Sequence, residues 1–126
     1  MTTTKPPVGL LISQDLFFSS KVTGTARELG LMVESEGNLR KALSKVAEGQ
    51  YGCLILDLAM PGVVVADVIA ATNSFPDEDR PKVIAFCSHV HTARLEKARQ
   101  AGCDEVMPRS KFSATLPDLL KRSFGK

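Results

Sequence analysis

The stretch Tyr51-Gly52-Cys53-Leu54-Ile55-Leu56-Asp57-Leu58-Ala59-Met60-Pro61-Gly62 decides the fold. Its apolar run ends in a carboxylate, and a Pro-Gly turn follows. A run this short, bounded by turn formers, reads as a strand buried on both faces, as in parallel sheets. Chemistry in an open parallel sheet collects just beyond the carboxyl ends of its strands. Asp57 is therefore a candidate functional residue. The competing reading makes it an aspartate that caps the turn into the next helix, and the segment alone leaves both open.

Outward from this strand, apolar runs and helical periodicities alternate. Val8 to Ile12 reads as a strand, and residues from about Asp15 to Leu29 as a helix with Leu16, Phe17, Val22, Ala26 and Leu29 on its apolar side, ended by Gly30. Leu31 to Val33 is a short second strand. Asn38 caps a helix running to Ala47 that carries Leu39, Ala42, Leu43 and Val46. After Asp57 the pattern predicts a helix from about Val63 to Thr72, a polar loop, and a strand from Val83 to Cys87. A charged helix from Thr92 to Ala101 stops at Gly102, followed by a strand at Glu105 to Met107 and a closing helix within Phe112 to Phe124 that starts near Pro117 or slightly before. Strict alternation of this kind defines one doubly wound α/β domain with a parallel sheet. It is expected to fill residues 1–126, with an ordered core at about 8–124 and no output domain.

Composition excludes several classes. A 126-residue chain buries roughly two-thirds of its unfolded surface, enough for one core without disulfides. A net charge of +2 is too small to argue for nucleic acid or an anionic membrane. No apolar run is long enough to span a bilayer, and the N-terminus lacks the apolar core of a secretion signal. A cytoplasmic location is expected. Cys53, Cys87 and Cys103 contain no C-x-x-C pair, and Cys53 reads as an inert buried thiol. His89 and His91 follow Cys87 closely but have no acidic residue beside them, so loop or cap roles outweigh metal binding. Arg94, Lys97, Arg99, Lys121 and Arg122 form a basic face, read as a solvated surface or as a site for an acidic partner.

Two segments carry a family resemblance. Leu54-Ile55-Leu56-Asp57-Leu58-Ala59-Met60-Pro61-Gly62 resembles the phosphoacceptor strand and turn of response-regulator receiver domains. Ala101-Gly102-Cys103-Asp104-Glu105 is similar to the stretch before that family's fifth strand. The resemblance covers nearly the whole chain and implies a flavodoxin-like sheet of order 2-1-3-4-5. It also implies an aspartate that takes a phosphoryl group from a histidine phosphate, with a divalent cation, usually Mg²⁺, bridging the two anions.

Carried over by position, Asp57 matches the acceptor, and Ala59 supplies the backbone carbonyl that would bind metal. The family's acidic pair falls on Ser13 and Gln14, its hydroxyl switch on Cys87, its lysine on Arg109 and its aromatic switch on Val106. Asp15, one residue beyond the acidic pair, is either a further metal ligand or the cap of the first helix, and the cap is favoured. Arg109 is expected to clamp Asp57 or a phosphoryl group through its fork of donors.

Three readings follow. In the first, a pseudo-receiver keeps the fold as a docking surface, with weak or lost phosphorylation and at most weak Mg²⁺ binding. In the second, a working receiver is phosphorylated on Asp57 by a histidine kinase. In the third, a flavodoxin-like domain binds a small ligand, although no glycine-rich loop follows the first strand. The first is preferred, and no enzymatic activity is expected. Its partner is a protein: a sensor histidine kinase, a phosphotransfer protein or a downstream effector.

Overall fold

A computed structural model describes residues 8–49, 51–88 and 91–124. In chain order the elements are β1 (Val8–Ile12), α1 (Leu16–Glu28), β2 (Met32–Glu36), α2 (Leu39–Ala47), β3 (Cys53–Asp57) and α3 (Val65–Asn73). They continue with β4 (Lys82–Cys87), α4 (Thr92–Ala101), β5 (Glu105–Pro108), α5 (Arg109–Ala114) and α6 (Leu116–Phe124). All strand pairs are parallel, in the order β2-β1-β3-β4-β5. This is the doubly wound, flavodoxin-like order expected from the sequence.

Strand alternation sorts the core into two layers. Leu10, Ile12, Leu54, Leu56, Val83 and Ala85 point to α2, α3 and α4, where Ala42, Val46, Val68, Ile69, Leu95 and Ala98 meet them. Leu11, Cys53, Ile55, Ile84, Phe86 and Met107 point the other way. They pack on Phe18, Val22 and Ala26 of α1, on Phe112 of α5 and on Leu116, Leu119 and Leu120 of α6. Every residue of β3 is buried, so the central strand is apolar on both faces until Asp57 ends it.

Three expectations need correction. Helix α1 buries Phe18, Ser19, Val22 and Ala26, while Leu16 and Phe17 are 80% and 93% exposed. Residues 18, 22 and 26 share one face at helical spacing, and Leu16 and Phe17 turn away from it. Strand β2 continues past Val33 to Glu36. It is an edge strand, so its polar outer positions need no apolar partner, and the Tyr51 hydroxyl donates to Glu34 at 2.7 Å. The closing helix starts at Leu116, beside Pro117 as expected, but a separate short helix, α5, precedes it. Pro117 cannot donate to the carbonyl four residues back, so the chain breaks at Thr115 and restarts with the proline in the first turn of α6.

Candidate functional site at the carboxyl edge of the sheet

The β1–β3 register pairs Ile12 with Leu56, which brings the next residues, Ser13 and Asp57, together at the sheet edge. Both are buried. The Ser13 hydroxyl donates to Asp57 Oδ2 at 2.7 Å and its oxygen accepts the Asp15 N–H at 3.1 Å. Asp57 Oδ1 accepts the Ala59 N–H at 2.9 Å, which tightens the turn after β3. A buried carboxylate must be supplied with donors, and here each oxygen has one. The Asp57 side chain thus closes the turn after β3, as the turn reading expects, and stands at the carboxyl edge of the sheet.

Asp15 is the N-cap of α1, as favoured from the sequence. Its Oδ1 accepts the Phe18 N–H at 2.9 Å. Its Oδ2 takes Arg109 Nη2 at 2.8 Å. The carboxylate that Arg109 contacts is thus Asp15, in place of the expected Asp57. The cause lies in where Arg109 starts. It is the first residue of α5, and its guanidinium carbon lies 4.4 Å above the centre of the Phe18 ring and 5.7 Å from that of Phe86. That seat is fixed by helix α1, whose cap is Asp15, while Asp57 already holds two donors. The Nε of Arg109 is buried without a hydrogen-bond partner.

The other predicted positions separate. Gln14 Nε2 donates to the Gly37 carbonyl at 2.9 Å, joining the loops after β1 and β2. Cys87 is buried in the layer of α2, α3 and α4, and Val106 is half-buried against the same layer. Ala59 is exposed at the turn. His89 lies outside the described residues. Burial pushes the Cys53 thiol up to about 12 and the Cys103 thiol up to about 11, so both stay protonated and unreactive near neutrality.

Ser13, a lost acid by its position in the motif, is the hydrogen-bond partner of Asp57, a role its residue type alone does not signal. The strand order already implied that neighbourhood, since β1 and β3 are adjacent in the order 2-1-3-4-5. Nothing in the local sequence signals the role of Phe18 as the seat of Arg109.

The donor set offers a Mg²⁺ ion one carboxylate, the least that an ordinary site uses. Such a site uses one or two carboxylates with waters and phosphate oxygens. Asp57 is the one carboxylate at the end of β3, Ser13 and Gln14 are neutral, and both oxygens of Asp15 are engaged. Among the described residues no three His, Cys, Asp or Glu side chains gather as metal ligands.

The Phe18 N–H, and after it Arg109, hold the Asp15 carboxyl below its usual range, against a smaller opposing effect of burial. Burial pushes Glu105 up, but Lys82 and Arg122 outweigh it and the net shift is downward. A carboxyl lowered by folding stabilises the fold above its unfolded value and loses that contribution as pH falls through its folded value. Thermal stability is therefore expected to decline below roughly pH 4. Asp15→Asn should flatten part of that acid limb in melts followed by circular dichroism.

A sheet of order 2-1-3-4-5 with a buried aspartate ending its central strand matches the fold of response-regulator receiver domains. Solved structures agree. A response-regulator signal receiver domain from Bermanella marisrubri is 21% identical and superposes with a TM-score of 0.80, covering 96% of this chain and 100% of that one. The receiver domain of sensor histidine kinase PA1611 from Pseudomonas aeruginosa PAO1, with a magnesium ion coordinated in its active-site cleft, is 18% identical. Its TM-score is 0.78, over 96% of this chain and 99% of that one.

Among curated proteins, the aerobic respiration control sensor protein ArcB of Escherichia coli (strain K12) is 25% identical over 119 residues, 93% of this chain. The chain spans 15% of the length of that relative. No protein-family model matches the chain. Among the described residues no helix is long and apolar enough to cross a membrane.

Proposed function

We propose that the chain is a receiver-like module of a two-component or phosphorelay system that acts by protein contact, with Asp57 at the phosphoacceptor position and phosphorylation weak. One observation carries this reading: Asp57 meets a hydroxyl where an acid would hold a cation, and the nearby arginine is engaged by Asp15. Phosphorylation requires an Asp57 oxygen to attack phosphorus while the bond to the leaving group breaks, giving an acyl phosphate. The attacking oxygen must first share or give up its donor, and little positive charge is free to offset two anions. Any Mg²⁺ bound at Asp57 and the Ala59 carbonyl is held weakly.

Contact supplies the signal. Leu16 and Phe17 stand exposed on α1, and Phe17 lines a groove of about 570 Å³ with Asp15, Phe18, Lys21, Arg109 and Ser113. Exposed large apolar side chains beside a groove mark an interaction surface. It suits a sensor histidine kinase, a phosphotransfer protein or a downstream effector in the cytoplasm, with neither nucleic acid nor membrane as direct partner. This role is signalling and not enzymatic.

The second reading, a working receiver phosphorylated by a histidine kinase, is favoured by the carboxylate itself. A buried acid with satisfied oxygens is a costly feature for an idle turn. Incubation with acetyl phosphate and Mg²⁺, followed by intact-mass measurement, separates the two. The pseudo-receiver reading expects only a minor phosphorylated fraction, absent in Asp57→Asn. Near-complete addition of one phosphoryl group to the native chain alone would establish the working receiver.

A further inference from the structure

The five cations of the basic face do not behave alike. Arg99 pairs with Glu96 at 3.3 Å and Arg122 with Glu105 at 3.0 Å. Arg94 and Lys97, exposed on α4, have no acidic partner within salt-bridge distance among the described residues. Arg94 reaches only the Leu58 carbonyl, at a long 3.5 Å. These two side chains border a groove of about 300 Å³ between α4 and the turn after β3, with Leu58, Met60, Pro61 and Val63 among its walls. No Asp or Glu lines it.

We propose that this groove docks an acidic, apolar segment of a partner protein, with an aliphatic side chain between the turn and α4 and flanking carboxylates on Arg94 and Lys97. The volume lies at the lower end of ligand pockets, which run from roughly 300 to 1,000 Å³. It therefore suits one inserted side chain better than a cofactor. Two unpaired cations over apolar walls set the sign of the partner. The site lies on the opposite side of the sheet from the α1 groove, so it does not compete with contact there.

The groove also adjoins Asp57. Leu58 and Ala59 line it, Ala59 N–H holds Asp57 Oδ1, and Leu58 N–H donates to the Phe86 carbonyl at 3.0 Å. An occupant that draws Arg94 off the Leu58 carbonyl acts on the same turn that holds the acceptor. Binding itself needs no phosphorylation, so the proposal stands or falls apart from the reading above.

The test is a titration of the unphosphorylated, ¹⁵N-labelled chain with the peptide acetyl-Asp-Leu-Leu-Glu-amide. Saturating shifts are expected in residues 58–65 and along α4. Affinity should fall at least about tenfold in the Arg94→Glu, Lys97→Glu double variant, and severalfold when salt rises from about 20 to 300 mM. Circular dichroism checks that the variant, changed at two exposed positions, keeps its fold. A neutral peptide with Asn and Gln in place of the acids should bind weakly. The proposal is overturned if no shifts appear by about 5 mM peptide, or if they map to the α1 groove. It is equally overturned if the neutral peptide or acetate alone shifts the same residues as strongly, or if a short DNA oligonucleotide does so at lower concentration.

Discussion

Substituting Ser13→Asp and Gln14→Asp together is expected to raise Mg²⁺ affinity about a hundredfold or more. Opposite unit charges about 4 Å apart gain several kcal/mol at an effective dielectric near 20, and a divalent ion gains about twice that. Part of the gain is lost to stripping water from the new acids, and each 1.4 kcal/mol left over is about tenfold in affinity. The same change should make stability depend on the ion. The Ser13 oxygen lies 2.7 Å from Asp57 Oδ2 in a buried setting, so a carboxylate there repels Asp57 until a cation intervenes. Melts without Mg²⁺ should drop below the native value and recover as Mg²⁺ is added. Calorimetric titration showing native-like affinity in the variant would mean that the missing acids are not what weakens the site.

Phe86→Ala is expected to cost about 3–5 kcal/mol of folding stability, a large share of the roughly 5–15 kcal/mol that holds a domain together. Phe86 is fully buried and stands opposite Asp57 in the β3–β4 register. Its ring centre lies 4.7 Å from Phe112, in a stacked arrangement, and 4.9 Å from Phe18. Removing it empties the space beneath Phe18, on which the Arg109 guanidinium rests. Loss of order at Arg109 should accompany the loss of stability, read from its side-chain NMR signals. Phe86→Leu keeps much of the volume and should cost clearly less. A urea-unfolding loss under about 1 kcal/mol in Phe86→Ala would contradict the packing described.

Most of the fold was legible because its determinants are local. The fully apolar run before Asp57 announced a strand buried on both faces, and Asn38 announced its helix by capping it, accepting the Lys41 N–H at 2.9 Å. Gly102 at φ 111° announced a stop that only a residue tolerant of left-handed backbone makes easily. The errors share a different origin. In α1, three apolar residues in a row offered more than one stripe, and only packing against Phe86 and Phe112 selects Phe18. In β2, polar residues past Val33 looked like loop because an edge strand satisfies its ladder on one side only.

The site was half legible. Position in the sheet singled out Asp57, and position in the motif singled out Ser13, Gln14, Cys87, Val106 and Arg109 as altered. What could not be read was which carboxylate Arg109 chooses. Asp15 and Asp57 both lie at the same rim, and the choice depends on a pairing across 94 residues, set by the start of α5 and by the Phe18 ring. Charge alone gives no preference between two aspartates; the hydrogen bonds already made by each do.

The most direct measurement is a Mg²⁺ titration of the native chain, following the side-chain carboxyl ¹³C signals of Asp57 and Asp15. A site furnished with one carboxylate and a hydroxyl should give small changes at Asp57, unsaturated at about 10 mM, with Asp15 unmoved in its pair with Arg109. Saturation below about 1 mM, with both carboxyls shifting together, would show that Asp15 leaves Arg109 to complete a metal site, and would contradict the account.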